Sequence, residues 1–193
     1  MPDVTAEQAV RVDDRVHPQV SLSWEVSDDN TVFTFHMREG LKWSDGSPLT
    51  AADYEFSFRV KKVAEGDLVR RYFGWDETVQ RDFHMKEWTE RRPDIIWSCG
   101  VRVGTVAVRE SGGCIEIGQF FILPEFQNRG IGTAILQEAV QRADERGLVA
   151  RLAFLNGNRA ESLYVRHGFA LVAQTETHSF MERRPGRTVD GAA

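Results

Sequence analysis

The stretch richest in chemistry is Gln127-Asn-Arg-Gly-Ile-Gly-Thr133. Gly130 and Gly132 remove side chains where the backbone turns, so successive N–H groups can converge on an anion. Apolar residues at helical spacing follow at once (Ala134, Ile135, Leu136, Ala139, Val140, Ala143), which adds the positive end of a helix dipole. Such a turn suits capture of a pyrophosphate through main-chain amides. It is neither a dinucleotide-binding G-x-G-x-x-G nor a P-loop, since no Gly-Lys-Ser/Thr follows. Paired glycines at a helix start also serve as plain caps or close-packing sites.

A strand and a helix must hold this turn. Ile115-Glu-Ile-Gly-Gln-Phe-Phe-Ile-Leu123 reads as a buried strand that Pro124 ends, and Thr133 to Arg146 reads as the helix, stopped at Gly147. Upstream, Asp94 to Ser98 and Arg102 to Val108 read as antiparallel strands joined at Cys99-Gly100, and Glu110 to Gly113 turns into the central strand. Downstream come a strand over Val149 to Leu155, a short helix over Arg159 to Arg166, and strands over Phe169 to Gln174 and Thr177 to Arg183. Nearer the N-terminus, Thr50 as N-cap and Asp53 in the first turn open a helix carrying Tyr54, Phe56, Phe58, Val60 and Val63, which Glu65-Gly-Asp67 is expected to end. Val79, Phe83 and Trp88 suggest a second helix from about Asp76 to Trp88. Val20 to Met37 alternates around a turn at Ser27 to Asn30 and reads as a β-hairpin, with Leu41-Lys-Trp43 a further strand candidate. Met1 to His17 is polar and aperiodic, and Pro185 to Ala193 is expected to be a free tail.

Composition narrows the function classes. The chain has 193 residues, 41% hydrophobic and 27% charged, the balance of a globular protein, and no apolar run approaches the roughly 20 residues of a membrane span. A net charge of -5 gives no basic footprint for nucleic acid. The first 20 residues lack the pattern of a signal peptide, and two cysteines are not a disulfide framework, so a cytoplasmic location is the expectation. No paired Cys/His spacing suggests a metal.

Gln127-Asn-Arg-Gly-Ile-Gly132, with its preceding strand and Pro-Glu-Phe lead-in, resembles the Q/R-x-x-G-x-G/A signature of the GCN5-related N-acetyltransferase superfamily. Asn158-Arg-Ala-Glu-Ser-Leu-Tyr164-Val-Arg-His-Gly168-Phe169 resembles that family's closing helix and strand. The resemblance implies an α+β domain from about Leu41 to Arg184, layered as in α/β three-layer folds. A mixed, largely antiparallel central sheet would be flanked by helices, with residues 1–40 as an extension bearing the hairpin and 185–193 as the tail. It implies acetyl-CoA as donor, an amine of a small molecule or protein as acceptor and no metal, and it leaves a homodimer open. A catalytically silent CoA-binding or regulatory module is the alternative.

The resemblance also assigns roles. Main-chain groups of Phe121, Ile122 and Leu123 would pair with the pantetheine arm and polarise the thioester. Gln127, Asn128, Arg129, Gly130, Ile131, Gly132 and Thr133 would hold the pyrophosphate. Asn158 matches the asparagine that bonds pantetheine, though it also suits a helix N-cap, and Tyr164 the tyrosine that protonates the departing sulfur. A phenol, with a reference pKa of about 10, keeps its proton at neutral pH. Trp75 and Asp76, in Phe73-Gly-Trp-Asp76, would belong to the acceptor wall, with packing beneath the loop the other reading of Trp75. Glu116 is the first candidate for general base, ahead of Asp76, Glu176 and His178.

A separate resemblance covers about residues 20 to 58. Ser23-Trp-Glu-Val-Ser-Asp-Asp29, Phe33-Thr-Phe-His-Met-Arg-Glu-Gly40 and Lys42-Trp-Ser-Asp-Gly-Ser-Pro-Leu-Thr-Ala-Ala-Asp53 look like part of the extracytoplasmic peptide-binding proteins of ABC transporters. The ligand-enclosing lobes of such proteins are absent, so the segment implies a fusion or recombination scar rather than peptide capture. Leu41 to Trp43 is the strand best placed to replace the first strand of the acetyltransferase sheet.

Overall fold

The computed structural model describes residues 21–26, 33–37 and 50–186. The stretches expected as an aperiodic start, a turn at Ser27 to Asn30 and a strand at Leu41 to Trp43 lie outside the described residues, as does most of the expected tail. Among the described residues, thirteen elements include β1 (Ser21–Val26), β2 (Phe33–Met37), α1 (Ala51–Phe73), α2 (Glu77–Arg91), β3 (Asp94–Ser98), β4 (Val101–Ser111), β5 (Cys114–Ile122), α3 (Ile131–Arg146), β6 (Val149–Leu155), α4 (Glu161–Arg166), β7 (Ala170–Gln174) and β8 (His178–Arg183). The remaining one is a 3-10 turn at Pro124–Phe126. No helix among the described residues is long and apolar enough to cross a membrane.

Strands β1 and β2 pair antiparallel as a sheet of their own, the expected hairpin. The other six form one sheet in the order β3-β4-β5-β6-β8-β7, antiparallel throughout except for the parallel pair β5–β6. This is a mixed, largely antiparallel sheet with helices. Its core joins Ile115 and Ile117 of β5 to Leu136, Ala139 and Ala143 of α3, Leu152 and Phe154 of β6, Tyr164 of α4 and Met181 of β8. The alternation that puts Ile115 and Ile117 on the core face puts Glu116 on the other.

Two compact units are distinguished: Met1–Phe58 with Asp76–Arg92, and Arg59–Trp75 with Pro93–Ala193. In the first, the Asp53 carboxylate accepts from the Thr50 N–H at 2.8 Å and closes the start of α1. Tyr54, Phe58, His84 and Trp88 fill its core, with Tyr54 and Trp88 edge to face at 5.6 Å. Burial pushes the Tyr54 hydroxyl pKa up. Helix α2 buries Gln80, His84 and Trp88, while Val79 and Phe83 are exposed, so of the three apolar residues that suggest the helix its inner face carries Trp88 alone. His84 is accepted there because the rings of Tyr54 and Phe58 lie 5.0 and 5.4 Å from its own.

Helix α1 does not stop at Glu65-Gly-Asp67; it runs 23 residues to Phe73, and Gly74, at φ 74°, follows it. Glycine inside a helix costs about 1 kcal/mol relative to alanine. Packing outweighs that cost here: the Trp75 ring folds back over Gly66, where an added Cβ would sit 3.4 Å from it.

Candidate functional site

The central feature is a gap in the sheet. Strands β5 and β6 pair only from Cys114–Val149 to Ile117–Leu152, although β5 runs on to Ile122 and β6 to Leu155. Past the last pair, β6 continues to pair with β8, and β5 with β4 alone. The two strands therefore part. A bulge marks the place: Ala107 faces Gly118 and Thr105 faces Phe121, so Gln119 and Phe120 together oppose Val106. Gln119 takes φ 45°, and the fully buried Thr105 hydroxyl donates to its carbonyl at 3.0 Å. No residue type announces that bulge in the sequence; the adjacent Gly118 is the sole local hint.

Alternation along an antiparallel strand decides which main-chain groups face the gap. The Leu123 N–H donates to the Val103 carbonyl at 2.9 Å, so that amide is already committed to β4. The Phe121 carbonyl is also turned toward β4, because it lies where a Cβ on Gly104 would have to go. Of the three residues expected to meet a pantetheine arm, Ile122 is the one whose main-chain groups point into the gap. Its carbonyl accepts from the Gln127 side chain at 2.8 Å. Gln127 is thus a brace between strand end and loop; its own N–H is spent on the Pro124 carbonyl.

Beyond Gln127 the loop changes character. Asn128 at φ 59° and Gly130 at φ 80° are left-handed, and the alternation turns successive N–H groups toward one side. Gly130 caps α3 with no side-chain hydrogen bond, and the first helical bond runs from Ala134 to Gly130. Among the described residues, the N–H groups of Asn128, Arg129, Gly130, Ile131, Gly132 and Thr133 meet no acceptor. No acidic side chain occupies the first turn of α3. The Arg129 guanidinium lies over the Phe126 ring at 5.3 Å. The two glycines work differently. A Cβ on Gly130 would project into open space but with a strained backbone, whereas one on Gly132 would come within 3.3 Å of Leu163 and 3.4 Å of Ile122. Gly132 lets the start of α3 approach α4 and the end of β5.

Tyr164 is 5% exposed, its ring 5.4 Å from Phe154 and 6.2 Å from Phe169. Burial, with a smaller contribution from the Glu65 carboxylate, raises the pKa of its hydroxyl, which therefore holds its proton firmly. Asn158 is not the N-cap of α4, which starts at Glu161 with Ala160 as cap; it shapes the turn before it, its Oδ1 accepting from Ala160 N–H at 2.9 Å and its carbonyl from Glu161 N–H at 3.3 Å. Its Nδ2 has no acceptor among the described residues. Glu116 is half-buried at the last position but one before the strands part, opposite Arg109 on β4 and Arg151 on β6.

The two residues expected in the acceptor wall each make a structural contact. Trp75 covers Gly66, with the Lys62 ammonium 5.5 Å from its ring centroid. Asp76 is the N-cap of α2, accepting from Val79 N–H at 2.9 Å. The residue that sequence reasoning missed is Asn156. It donates to the carbonyls of Thr175 and Glu176, accepts from the Ser179 hydroxyl at 2.7 Å, and offers its carbonyl to the Tyr72 hydroxyl at 3.2 Å. It ties the last turn of α1, the end of β6 and the β7–β8 turn together.

A parted strand pair followed by an open helix N-terminus defines a class of CoA-dependent acyl-transfer folds, and the comparisons agree. The model of the acetyltransferase (GNAT) family matches residues 63–169, more than half of the chain, and the chain belongs to that family. Among solved structures, the paia N-acetyltransferase from Thermoplasma acidophilum in complex with coenzyme A aligns with a TM-score of 0.55 at 17% identity, covering 70% of this chain and 95% of that one. PH1933 from Pyrococcus horikoshii OT3 aligns with a TM-score of 0.60 at 19% identity, over 77% and 98% of the respective chains. At those identities the likeness is one of fold. A second model, bacterial extracellular solute-binding proteins family 5 (middle), matches residues 15–84. The dipeptide-binding protein DppE of Bacillus subtilis is 40% identical over 47 residues, 24% of this chain and 9% of that protein. The periplasmic oligopeptide-binding protein OppA of Salmonella typhimurium is 50% identical over 42 residues, 22% and 8% respectively. The chain spans less than a tenth of the length of these two relatives.

Proposed function

We propose that the protein transfers the acetyl group of acetyl-CoA to a primary amine by direct attack, within a transferase domain of about residues 41–184 flanked by an N-terminal extension and a short tail. The observation that carries this reading is the run of N–H groups from Asn128 to Thr133 without acceptors, at a helix start that has no carboxylate of its own. A pyrophosphate supplies the acceptors and the negative charge such a terminus lacks. The chain's residues thus fit the group: these amides and Arg129 would hold the phosphates, and the main chain of Ile122 and the Asn158 side-chain amide would hold the pantetheine arm.

Bound acetyl-CoA supplies an activated acyl group. Tyr164 holds a proton on its hydroxyl, kept there by burial, for a departing thiolate. Glu116, on the opposite face from the core, is the carboxylate nearest along β5 to the gap and receives the proton that the attacking ammonium must lose. Main-chain amides facing the gap stabilise negative charge on the carbonyl oxygen in the transition state.

One observation favours the silent CoA-binding alternative: among the described residues the six-stranded sheet begins at β3, with no strand from before α1. Calorimetric titration with acetyl-CoA and with CoA, on wild type and on Gly130→Trp, separates the outcomes. Gly130→Trp places an indole in the space the phosphates would use and strains a left-handed position, so it should abolish binding. Binding by wild type, with thiol release on adding an amine, supports transfer. Binding with no release by any of a broad set of amines leaves the silent module, and no binding by folded wild type sinks both.

A further inference from the structure

We propose that the sheet face beside the β5–β6 gap carries an acceptor subsite for a primary amine attached to a flat or apolar body, with Phe73, His178 and Phe180 as its wall; this rests on the acetyl-transfer reading above. Phe73 ends α1 with 59% of its surface exposed, and Phe180 on β8 is 39% exposed. Large aromatic rings left open side by side mark a surface that something apolar covers. The His178 ring stands between them, 6.4 Å from each centroid and tilted by about 40° to both, so the three rings lie in a row at the start of β8.

The register places this row next to the gap. Ala153 faces Phe180 and Leu155 faces His178 across β6–β8, and side chains directly opposite share a face. The last β5–β6 pair is Ile117–Leu152, so the exposed Ala153 is the first β6 residue past the parting, a floor without bulk. His178, level with Leu155, is three residues on, about 10 Å along the strand. An amine directed at the gap therefore lays its body across Ala153 and against the rings.

The wall is held in place. Tyr72 donates to the Asn156 carbonyl, Asn156 donates through its side chain to the Thr175 and Glu176 carbonyls and through its N–H to that of Thr177, and the Thr177 hydroxyl lies 2.8 Å from His178 Nδ1. Such fixing lowers the entropy cost of binding. Charge on the same face is balanced: Glu182 pairs with Arg151 at 2.7 Å, and Glu116 stands in register between Arg109 and Arg151. The aromatic wall favours the apolar body of an amine, and the face has no excess of carboxylates to reward the further charges of a polycation.

The test uses the full chain, with thiol release from acetyl-CoA as readout and 2-phenylethylamine, ethanolamine and spermidine as acceptors. The ring-bearing amine should exceed both others about tenfold in kcat/KM, chiefly through KM, and the ratio should fall to about threefold or less in a Phe73→Ala/Phe180→Ala double variant. Calorimetric binding of 2-phenylethylamine to the protein saturated with CoA should be lost in the same variant and kept in Phe180→Tyr. Should the double variant melt early, Phe73→Ala alone carries the comparison, since its side chain is mostly in solvent. Equal or better use of ethanolamine or spermidine overturns the subsite, as does an unchanged ratio in a variant that melts like wild type. Wild type that binds acetyl-CoA without ring preference loses the subsite alone; wild type that fails to bind acetyl-CoA loses the transferase reading with it.

Discussion

The two halves of β5 have the same neighbours in sequence but opposite environments. From Cys114 to Ile117 the strand is hydrogen-bonded on both edges, to β4 and to β6. From Gly118 to Ile122 it is bonded to β4 alone, and a bulge separates the halves. Main-chain groups left on one edge of a strand are a cost unless water or a ligand meets them. On the proposed reading a pantetheine arm meets those groups, and the pairing that remains to the open half is to β4. The Leu123–Val103 bond and the Thr105–Gln119 bond both belong to that remaining side.

The sharpest way to break the arrangement is Gly104→Ala. The new methyl would meet the Phe121 carbonyl oxygen, a backbone atom that cannot swing aside, and the Ile96 side chain lies 3.2 Å away on the other strand. The open half of β5 has no second neighbour to hold it if β4 is pushed off. We expect a loss of about 3 kcal/mol or more in urea unfolding, with acetyl-CoA binding lost at temperatures where the variant is still folded. A loss below about 1 kcal/mol would show that the strand end yields easily and that β4 is not its anchor.

A paired substitution measures the contrast directly. Ile115, in the closed half, is 0% exposed within the main core, whereas Ile122, in the open half, is only half-buried. Ile115→Ala should cost about 2–5 kcal/mol, from lost transfer and the cavity left behind. Ile122→Ala should cost about 1–2 kcal/mol, since the site is partly hydrated already. Its main-chain groups are unchanged, so acetyl-CoA affinity should fall less than stability would suggest. Equal costs at both positions, measured by chemical denaturation, would mean that the open half is packed as tightly as the closed one.

How far the sequence could be read follows the same division. The strand, turn and helix from Ile115 to Arg146 were legible because a β-branched run, a proline and an apolar helical period succeed one another without ambiguity. The helix begins two residues earlier than Thr133, at Ile131, because Gly130 itself is the cap. What could not be read depends on tertiary contacts. Gly66 looks like a stop, and only the Trp75 ring packed over it explains why α1 continues. His84 looks like a solvent-facing residue, yet it lies inside, with the Tyr54 and Phe58 rings of α1 against it. The bulge at Gln119 places a non-glycine residue at positive φ, against local preference, and is propped by a buried threonine fourteen residues away in sequence. Leu123 looked as free as Ile122; alternation along the strand separates them, and that depends on a register no local pattern reveals.

The closed end of the β5–β6 pair is tied to the helix that follows β5, and Asp144 is the residue that tests what this tie contributes. It lies in the last turns of α3 and receives both guanidinium nitrogens of Arg183 at 2.7 and 2.8 Å, together with the Gly186 N–H. Arg183 faces Ala150 on β6, in the stretch of that strand that pairs with β5. The clamp thus joins α3, β8 and the closed end of the β5–β6 pair. The Arg183 hydrogen bonds, aided by Gly186, hold the Asp144 carboxyl below its ordinary pKa despite some burial. A depressed folded-state value means that the stabilisation is complete above the unfolded value of about 3.9 and is lost as pH falls through the lower folded value. Asp144→Asn should therefore cost about 1–2 kcal/mol at pH 7, where a charged, bidentate pair becomes a weaker neutral contact. The difference from wild type should shrink in urea titrations as the pH is lowered below about 4, because protonation removes the same charge from wild type. Acetyl-CoA affinity at pH 7 should change little, the open half being anchored by β4. A large loss of affinity without a loss of stability would instead show that the clamp sets the width of the gap.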